Sequence, residues 1–247
     1  MVEVVSPPSM AGCVGGSRAP LAVLIVSSPA LTPGGLVRLY SDLGRSIAAH
    51  VDTGGALGAV TASAVQTVPG AQYASITRRR NDELSTLAAT AEPAQVVDRL
   101  QYELDSGPGV DAAQPGEEGV IVCAELGTDP RWPMFGPHAV TATGIHSVLA
   151  IRLVLDEDDV ECALNIYSCQ PDAFADESCT VATVLATHGG SAVGGVIARE
   201  RSTHLTKALA SNREIGMAMG VLMNTLKVPR ESAFELLRIS SWQDPVK

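Results

Sequence analysis

The chain has 247 residues, of which 46% are hydrophobic and 4% aromatic, and its formal net charge is −10. This length accommodates one large domain, or a domain of common size with a smaller appendage, and the acidic balance excludes a protein that binds polyanions over its whole surface. The charge is uneven, because residues 1–199 contain 10 basic and 22 acidic side chains whereas residues 200–247 contain 7 and 5. Any affinity for phosphate is therefore expected at the C-terminal end.

The cysteine content and the apolar runs bear on the cellular compartment. Five cysteines without a Cys-x-x-Cys pair disfavour both a disulfide framework and a zinc site. We therefore expect free thiols in a reducing cytoplasm and no metal. The most apolar run, Leu21–Val26, is far shorter than the roughly 20 residues that span a bilayer. The sequence thus predicts a cytoplasmic protein with neither a membrane span nor a signal peptide.

The N-terminal part divides into a leader and two helices. Residues 1–34 are rich in Pro, Gly and Ser and contain no aromatic residue, which predicts a flexible leader. A helix is predicted next, because apolar residues recur at spacings of three and four at Leu36, Leu39, Leu43 and Ile47. Thr53–Val68 is a second, weaker helix candidate.

The middle of the chain predicts an antiparallel sheet. Strand-like segments are found at Ala74–Arg78, Leu84–Thr90, Gly119–Cys123, Ser147–Leu155 and Glu161–Ser168. A helical stretch, Ala94–Leu104, interrupts them. The acidic run Asp156–Asp159 separates the last two strands and is typical of a hairpin turn. Strands framed by helices at both ends predict an α+β sandwich built on an antiparallel sheet.

The C-terminal part is predicted to be helical. From Ser178 the pattern is helical for nearly fifty residues, although Gly189, Gly190, Gly194 and Gly195 interrupt it and could allow a partner to approach closely. A heptad follows, with Leu205, Asn212, Met219 and Leu226 at one core position and Ala208, Ile215 and Leu222 at the other. Such a stripe seeks a second helix, either in a homodimer or in its own domain. Pro229 then ends the long helix, and Arg230–Ser240 forms a short one.

This C-terminal segment resembles the ANTAR module of bacterial antitermination regulators. The matching residues, in order, are Ile215, Ala218, Gly220, Leu222, Met223, Ala233, Phe234, Leu237, Arg238 and Ser240. The resemblance implies a helical unit that binds paired RNA hairpins, usually as a dimer, and prevents formation of a transcription terminator. The family's third helix begins shortly after the equivalent of Ser240, and we expect it to be missing from residues 199–247.

The preceding part, about residues 35–198, resembles a GAF domain of the kind that precedes ANTAR modules in actinobacterial-type regulators. The matching residues are Leu104–Ala112, Asp129–Pro133 with Phe135, Gly144 and Ile145 with Ser147–Leu149, and Ala163–Ser168. The resemblance implies a GAF-like sandwich with a pocket for an unknown small molecule. From the residues themselves, Asp105–Asp111 is interpreted as a structural turn. Asp129–Phe135 is expected to plug one end of the sheet, with Trp132 and Phe135 buried and Arg131 hydrogen-bonded.

The candidate RNA-binding residues are the cations of the C-terminal segment, because phosphate recognition needs positive side chains. They are Lys207, Arg213, Lys227, Arg230 and Arg238. The alternative interpretation is that they are ordinary solvent-exposed charges on helices, without a binding role. Trp242 is the one aromatic residue expected to be exposed for base stacking, so we expect shape and backbone recognition of hairpins to dominate.

These observations lead to one expected function and one alternative. We expect an RNA-binding antitermination regulator with a GAF sensor, acting as a homodimer through its C-terminal helices. We recognise no acid/base or nucleophile constellation, so we expect no enzyme activity, no cofactor and no metal. The alternative is a ligand-sensing or dimerisation protein whose degenerate ANTAR segment no longer binds RNA.

Overall fold

The computed structural model describes residues 32–81, 83–114, 119–155 and 161–243. The helices in these ranges are α1 Pro33–Ala48, α2 Thr53–Thr67, α3 Glu92–Leu104, α4 Pro108–Ala112, α5 Phe135–Thr143, α6 Asp176–Leu226 and α7 Arg230–Gln243. The strands are β1 Tyr73–Arg80, β2 Glu83–Ala89, β3 Val120–Cys123, β4 Ser147–Leu153 and β5 Glu161–Ser168. The predicted α+β class is confirmed. Leader residues 1–31 and the predicted turn Asp156–Asp159 lie outside the described residues.

The five strands form one antiparallel sheet in the order β2-β1-β5-β4-β3. The β4–β5 pairing confirms the predicted hairpin partners, with Ser147 opposite Ser168 and Leu153 opposite Cys162. The centre of the sheet, β5, is buried along almost its whole length. Both of its faces are therefore covered, and polar side chains that alternate along it point into the protein.

Helices cover the two faces of the sheet and form two cores. On one face, α1, α2 and the first half of α6 pack on apolar strand residues in the larger core, which includes Leu43, Val60, Ile76, Leu164, Ile166 and Leu185. On the other face, α3 and α5 form a second core with Trp132, Phe135, Ile145 and Val148. Burial of this apolar surface is the main force that holds the layers together.

Local signals begin and end the helices. The Thr32 side chain caps α1 by accepting a hydrogen bond from Gly35 N at 3.0 Å, and Asp52 caps α2 in the same way through Gly55 N at 2.8 Å. Helix α3 ends at Asp105, which adopts a left-handed conformation with φ 42°. These caps fix where the helices leave the sheet layers.

Helix α6 is continuous across the glycines that interrupt its sequence pattern. An added Cβ at Gly189 would meet Val60 on α2, and one at Gly190 would overlap the carbonyl oxygen of Val154. These two glycines therefore allow α6 to lie close to its own domain. Within the described residues, α6 is the one helix long and apolar enough to cross a membrane by length and composition alone. Of its most apolar 18-residue window, 56% is buried inside the protein, as in a core helix.

The chain divides into two compact units, Met1–Ile197 and Ala198–Lys247. The first holds the sheet and both cores and is called the sensor unit below, after the role that the sequence leads us to expect. The second contains the end of α6 and α7 and is called the C-terminal unit. In the C-terminal unit the structure shows two helices joined by a three-residue break at residues 227–229.

Candidate sensor site and candidate nucleic-acid interface

A buried carboxyl group lies at the centre of a polar cluster between α3 and the sheet. Asp98 on α3 is fully buried. Its Oδ1 accepts hydrogen bonds from Ser75 Oγ at 2.9 Å and from the Tyr167 hydroxyl at 2.6 Å. Its Oδ2 accepts another from Thr86 Oγ1 at 2.8 Å. The helix α3 and the three strands β1, β2 and β5 therefore meet at this carboxyl group.

The protonation of this cluster is set by its burial. Burial raises the pKa of Asp98 to about 6, while the hydroxyl donors and the charge of Arg99 offset part of that effect. Burial and the charge of Asp98 raise the pKa of Tyr102 and of Tyr167, so both phenols stay protonated at neutral pH. The charge of Asp98 is thus sensitive to anything that changes the hydration of the cluster, which makes it a candidate functional group.

A second layer of hydroxyl and amide groups extends the cluster across the sheet. The Tyr102 hydroxyl donates to Thr77 Oγ1 at 3.1 Å and lies 2.9 Å from Thr86 Oγ1. Asn165 Nδ2 donates to the same Thr77 oxygen at 2.8 Å. Because the hydrogen bonds run from one residue to the next, a change at Asp98 would be felt at β1 and β5 together.

Helix α4 closes the rest of this sheet face. Gly109 N donates to Gln101 Oε1 at 2.7 Å, which ties α4 to α3. A Cβ at Gly109 would lie 2.5 Å from Asn165 Oδ1, so only glycine lets α4 pack this closely. Buried alanines fill the contact between α4 and the sheet, namely Ala112, Ala113, Ala150 and Ala163. The buried Asn165 Oδ1 has no hydrogen-bond partner, which makes it an acceptor open to a ligand donor if α4 moves.

An open groove of about 510 Å³ lies beside the cluster, between the edge strand β2 and α3. Thr86 and Tyr102 line it and connect it to Asp98 through their hydrogen bonds. Gln95 and Arg99 form the α3 wall. The groove therefore offers an approach from solvent to the buried carboxyl group.

The Asp129–Phe135 segment lies as the sequence predicts. Trp132 and Phe135 are buried, and Trp132 Nε1 donates to Asp111 Oδ2 at 2.8 Å. Arg131 Nη2 bonds Asp129 Oδ2 at 2.7 Å and the Val122 carbonyl oxygen at 2.7 Å, and its guanidinium lies 4.2 Å from the centre of the Trp132 ring. The hydrogen bonds from Arg131 lower the pKa of Asp129 to about 2. These contacts hold the segment at one end of the sheet, as a plug.

The cysteines do not form a reactive pair among the described residues. Burial, with the adjacent Asp129 carboxylate as a lesser cause, raises the pKa of the Cys123 thiol to about 12, which keeps it protonated at neutral pH. Cys162 is buried in the other core, and Cys179 lies on α6. Cys169 is disulfide-bonded, so the expectation of free thiols is wrong for this residue. It directly follows β5 and is half-buried.

The histidines have ordinary polar and aromatic neighbours. His146 Nδ1 lies 3.0 Å from Glu125 Oε1, and the His188 ring packs edge-on against Tyr40 at 4.3 Å between ring centres. Within the described ranges, no group of three or more His, Cys, Asp or Glu side chains could hold a metal ion.

All five predicted RNA-binding residues are exposed in the C-terminal unit. Two lie on α6, one lies at the break between the helices and two lie on α7, in the order Lys207, Arg213, Lys227, Arg230 and Arg238. Arg238 forms an ion pair with Glu235 at 2.7 Å, and Lys227 Nζ donates to Asn224 Oδ1 at 3.3 Å. Their side chains reach solvent and are not held inside the unit.

The C-terminal unit also exposes large apolar side chains. Every residue from Arg201 to Met217 is exposed, including Leu205 at 63% and Leu209 at 61%. The predicted heptad is therefore divided, because Met219 is buried inside the unit whereas Leu205, Ile215 and Leu226 face solvent. Exposed apolar surface at this spacing is typical of an interaction site.

Two functional features do not emerge from the sequence alone. The first is Asp98, which lies on the buried face of α3 with Ala94 and Gln101. The one sequence signal for it is an acidic residue at a position that helical periodicity places on the buried face. The aromatic residue exposed on α7 is Phe234, at 49%. The sequence pattern assigns Phe234 to an apolar face, whereas Trp242 lies where side chains are not described.

Comparisons with known proteins bear on the fold of the chain. No protein-family model and no curated protein matches the sequence. Among solved structures, a bacteriophytochrome from the photosynthetic bacterium R. palustris is similar with a TM-score of 0.54 and 12% identity. That match covers 76% of this chain and 44% of the bacteriophytochrome, so the chain spans less than half of that protein.

Two further structures are similar with TM-scores of 0.50. Free methionine-R-sulfoxide reductase from Neisseria meningitidis is 13% identical, and the match covers 69% of this chain and 92% of the reductase. An N-acylhomoserine lactone dependent LuxR family transcription factor from Burkholderia cenocepacia is 14% identical, with 66% and 97% covered. At these identities the similarity concerns the fold alone. The chain has an α+β, GAF-like fold.

Proposed function

We propose that this chain is an RNA-binding antitermination regulator in which the GAF-like sensor unit controls the helices of the C-terminal unit. The observation that supports this best is that all five candidate cations are exposed on one small helical unit. Residues 200–247 have a surplus of basic side chains in a chain with net charge −10. A local basic surface on an acidic protein favours a localised polyanion partner.

Structured RNA suits this surface better than an extended single strand. Single-strand binders stack successive bases on a series of aromatic side chains. Among the side chains described in the C-terminal unit, Phe234 is the one exposed Phe, Tyr or Trp. Cations spread over two helices and their joint match the spaced phosphates of a folded hairpin. The resemblance to ANTAR modules, which bind paired hairpins, supports the same partner.

A homodimer through the C-terminal helices is part of the proposal. An isolated helix is marginally stable in water, so most helices in proteins depend on packing of an apolar face. The stretch from Arg201 to Met217 has an apolar face without packing in its own chain. A second copy would cover it, and Asn212 at a heptad core position would set the register.

The signal is proposed to enter at the polar cluster around Asp98. A small molecule that offers hydrogen-bond donors would suit the Asp98 carboxylate and the unpartnered Asn165 Oδ1. Its binding would shift α3 and α4, which the cluster ties to the sheet. We place this activity in the cytoplasm, where nascent RNA is found in bacteria.

The test is RNA affinity measured at two salt concentrations. Neutral variants of the five cations (Lys207→Gln, Arg213→Gln, Lys227→Asn, Arg230→Gln and Arg238→Gln) should weaken binding to a two-hairpin RNA. The plot of log affinity against log salt should become shallower. Its slope should decrease in magnitude by roughly 0.7 to 0.9 for each phosphate that a removed cation had neutralised. Arg38→Gln and Arg80→Gln, both exposed in the sensor unit, serve as matched controls.

Unchanged affinity and slope in the five-fold variant would contradict the RNA-binding surface. If the unaltered chain forms dimers but binds no hairpin RNA, the alternative of a dimerisation or ligand-sensing protein replaces the proposal. The exposed apolar stretch of α6 supports that alternative, because it fits dimerisation with or without RNA.

A further inference from the structure

The two edges of the sheet differ in how they are protected. At one edge, β3 is only four residues long, and Arg131 Nη2 donates to the carbonyl oxygen of Val122 at 2.7 Å. At the other edge, β2 is seven residues long and, among the described strands, pairs with β1 alone. Edge strands are usually protected by shortness, by proline or by charged side chains, because their unpaired backbone groups attract further strands. Apart from Glu83 at its start, β2 has none of these features.

The open groove of about 510 Å³ follows this unprotected edge. Its lining includes six consecutive residues of β2, Leu84–Ala89. Because side chains alternate between the two faces of a strand, a wall of consecutive residues includes the backbone itself. In an antiparallel pair, about half of the N–H and C=O groups of an edge strand point away from its partner. The groove thus presents a row of backbone donors and acceptors over about 20 Å.

The side chains of the groove favour an acidic occupant. The α3 wall consists of Gln95, Arg99 and Tyr102, and Arg99 is the one charged residue in the lining. Arg99 is exposed, and among the described residues no carboxylate forms an ion pair with it. On an added strand, alternate side chains would point towards α3. A carboxylate at one of these positions would meet the Arg99 guanidinium.

A second copy of β2 suits this groove less well than an acidic segment. Two-fold pairing of β2 with itself would place α3 of both copies on the same face of the joined sheet. Both Arg99 side chains would then line one groove, and like charges brought together in an interface are destabilising. The leader is also a poor match in charge, because residues 1–31 contain a single acidic side chain, Glu3.

We propose that the groove along Leu84–Ala89 binds an extended segment of a partner protein as an added strand, with an acidic side chain of that segment paired with Arg99. In this mode of recognition, backbone hydrogen bonds supply affinity and the alternate side chains supply specificity. The inference concerns the sensor unit alone and does not depend on RNA binding, so either proposal can fail without the other.

The first experiment tests strand addition with a synthetic peptide. A fluorescent heptapeptide, Ser-Thr-Val-Glu-Val-Thr-Ser, is titrated with the full chain at pH 8, well above the pKa of Asp98 of about 6. Two further peptides are N-methylated, one at both valines and the other at both threonines. Alternate N–H groups of a strand point to opposite sides, so only one of these peptides loses its donors to β2.

We expect one N-methylated peptide to bind about tenfold or more weakly and the other to bind almost as well as the unmodified peptide. Equal affinities of the two N-methylated peptides would exclude strand addition. The proposal would also be overturned if the unmodified peptide does not bind at millimolar concentration.

The second experiment tests the preference for an acidic side chain. Arg99→Gln should weaken binding of the glutamate peptide about twofold to fivefold and leave a glutamine version of the peptide unaffected. Arg99→Glu should reverse the preference, so that a lysine version binds more tightly than the glutamate peptide. Arg38→Gln, at an exposed position of α1 outside the groove, is the control. Equal losses for all three peptides would contradict the assignment of an acidic partner.

The third experiment locates the peptide by hydrogen exchange resolved by residue. The peptide should slow exchange at those β2 amides that do not bond β1 and leave the amides of β3 unchanged. Slower exchange at β3 without any change at β2 would place the peptide at the wrong edge and refute the proposal.

The same measurement without peptide tests the other occupants. The outward β2 amides should then exchange rapidly. Slow exchange that depends on protein concentration would assign the edge to a second copy, whereas slow exchange at every concentration would assign it to another part of the same chain, such as residues 1–31. Either result would overturn the binding of a partner segment.

Discussion

The sensor unit and the C-terminal unit differ in which side chains they bury and which they expose. In the sensor unit a carboxyl group is buried and hydrogen-bonded by three hydroxyl groups, whereas large apolar side chains in the C-terminal unit face solvent. Buried polar groups are costly unless they are paired, and exposed apolar surface is costly unless a partner covers it. The first unit therefore pairs its buried carboxyl group within its own chain, and the proposed homodimer would cover the exposed apolar stretch of the second.

The largest expected effect comes from removing the exposed apolar face of α6. Leu205→Gln with Leu209→Gln removes four leucine side chains from each proposed dimer interface. Since both are already about 60% exposed in the single chain, pairing would bury that remaining area. We expect the dissociation constant of the dimer to rise about a thousandfold, because each of the four leucines contributes roughly 1 kcal/mol to association. Analytical ultracentrifugation measures it, with the exposed sensor residue Val51→Gln as the control.

A persistent dimer in that double variant would refute the proposed interface. A chain that is monomeric without any substitution would do the same. If the unaltered chain is monomeric, the exposed stretch of α6 would need a partner other than a second copy of the chain.

Dense packing in the sensor unit predicts the next effect. An added Cβ at Gly136 would overlap the backbone carbonyl oxygen of Leu126, which cannot rotate away. We expect Gly136→Ala to lower the free energy of unfolding of the sensor unit by about 3 kcal/mol or more. Urea unfolding followed by Trp132 fluorescence in a Trp242→Phe background reports this unit. Gly58→Ala on α2 meets no atom within 4 Å and should be neutral or stabilising.

The buried Asp98 predicts a pH-dependent effect of about the same size. Its pKa is about 6 in the folded protein and about 4 when unfolded, so the folded state binds the extra proton. The resulting stability is present below pH 4 and is lost as pH rises to about 6, at a cost of roughly 3 kcal/mol. Asp98→Asn cannot ionise, and its stability relative to the unaltered chain should increase between about pH 4 and 6 and then level off.

The same urea titration measures this difference at several pH values. Asp172→Asn, an exposed position where Asn also tolerates the left-handed backbone conformation, is the control. A difference between Asp98→Asn and the unaltered chain that stays constant with pH would show that Asp98 does not titrate in this range.

Much of the fold follows from periodicity in the sequence. The stripe from Leu39 to Ile47 predicts α1, the alternation in β4 and β5 predicts their pairing, and Pro229 marks the break between α6 and α7. Helix α5 is not predicted, because Phe135–Thr143 contains Gly136, Pro137 and two threonines, all poor helix formers. Tertiary packing of Phe135 and Ala139 in the second core outweighs that propensity.

The candidate sites are less accessible to sequence reasoning. The cations of the C-terminal unit can be named because exposed charges stand out in composition. Asp98 cannot, because its hydrogen-bond partners Ser75, Thr86 and Tyr167 come from three strands that only the fold brings together. Alternating polar residues on β1 and β5 resemble a solvent face until helices α3 and α4 are placed over them.

The smallest predicted effect concerns left-handed backbone positions, where the two units again differ. In the sensor unit the described non-glycine residues with positive φ are Asn81, Asp105 and Asp172, the residue types that tolerate this conformation. In the C-terminal unit the corresponding residue is Lys227, with φ 55°. A lysine there costs about 1 kcal/mol relative to glycine. The positive charge at the helix joint is therefore present at a cost in backbone conformational energy.

Two substitutions separate the strain from the charge. Lys227→Gly should stabilise the C-terminal unit by about 1 kcal/mol, seen as a higher melting temperature by circular dichroism, whereas Lys227→Gln should not. Both remove one cation, so both should weaken hairpin RNA binding equally and reduce the salt slope by up to about 0.9. A Lys227→Gly variant that binds RNA as well as the unaltered chain would show that the charge of Lys227 makes no contact with RNA phosphate. The backbone conformation of this residue would then favour glycine with nothing to offset it.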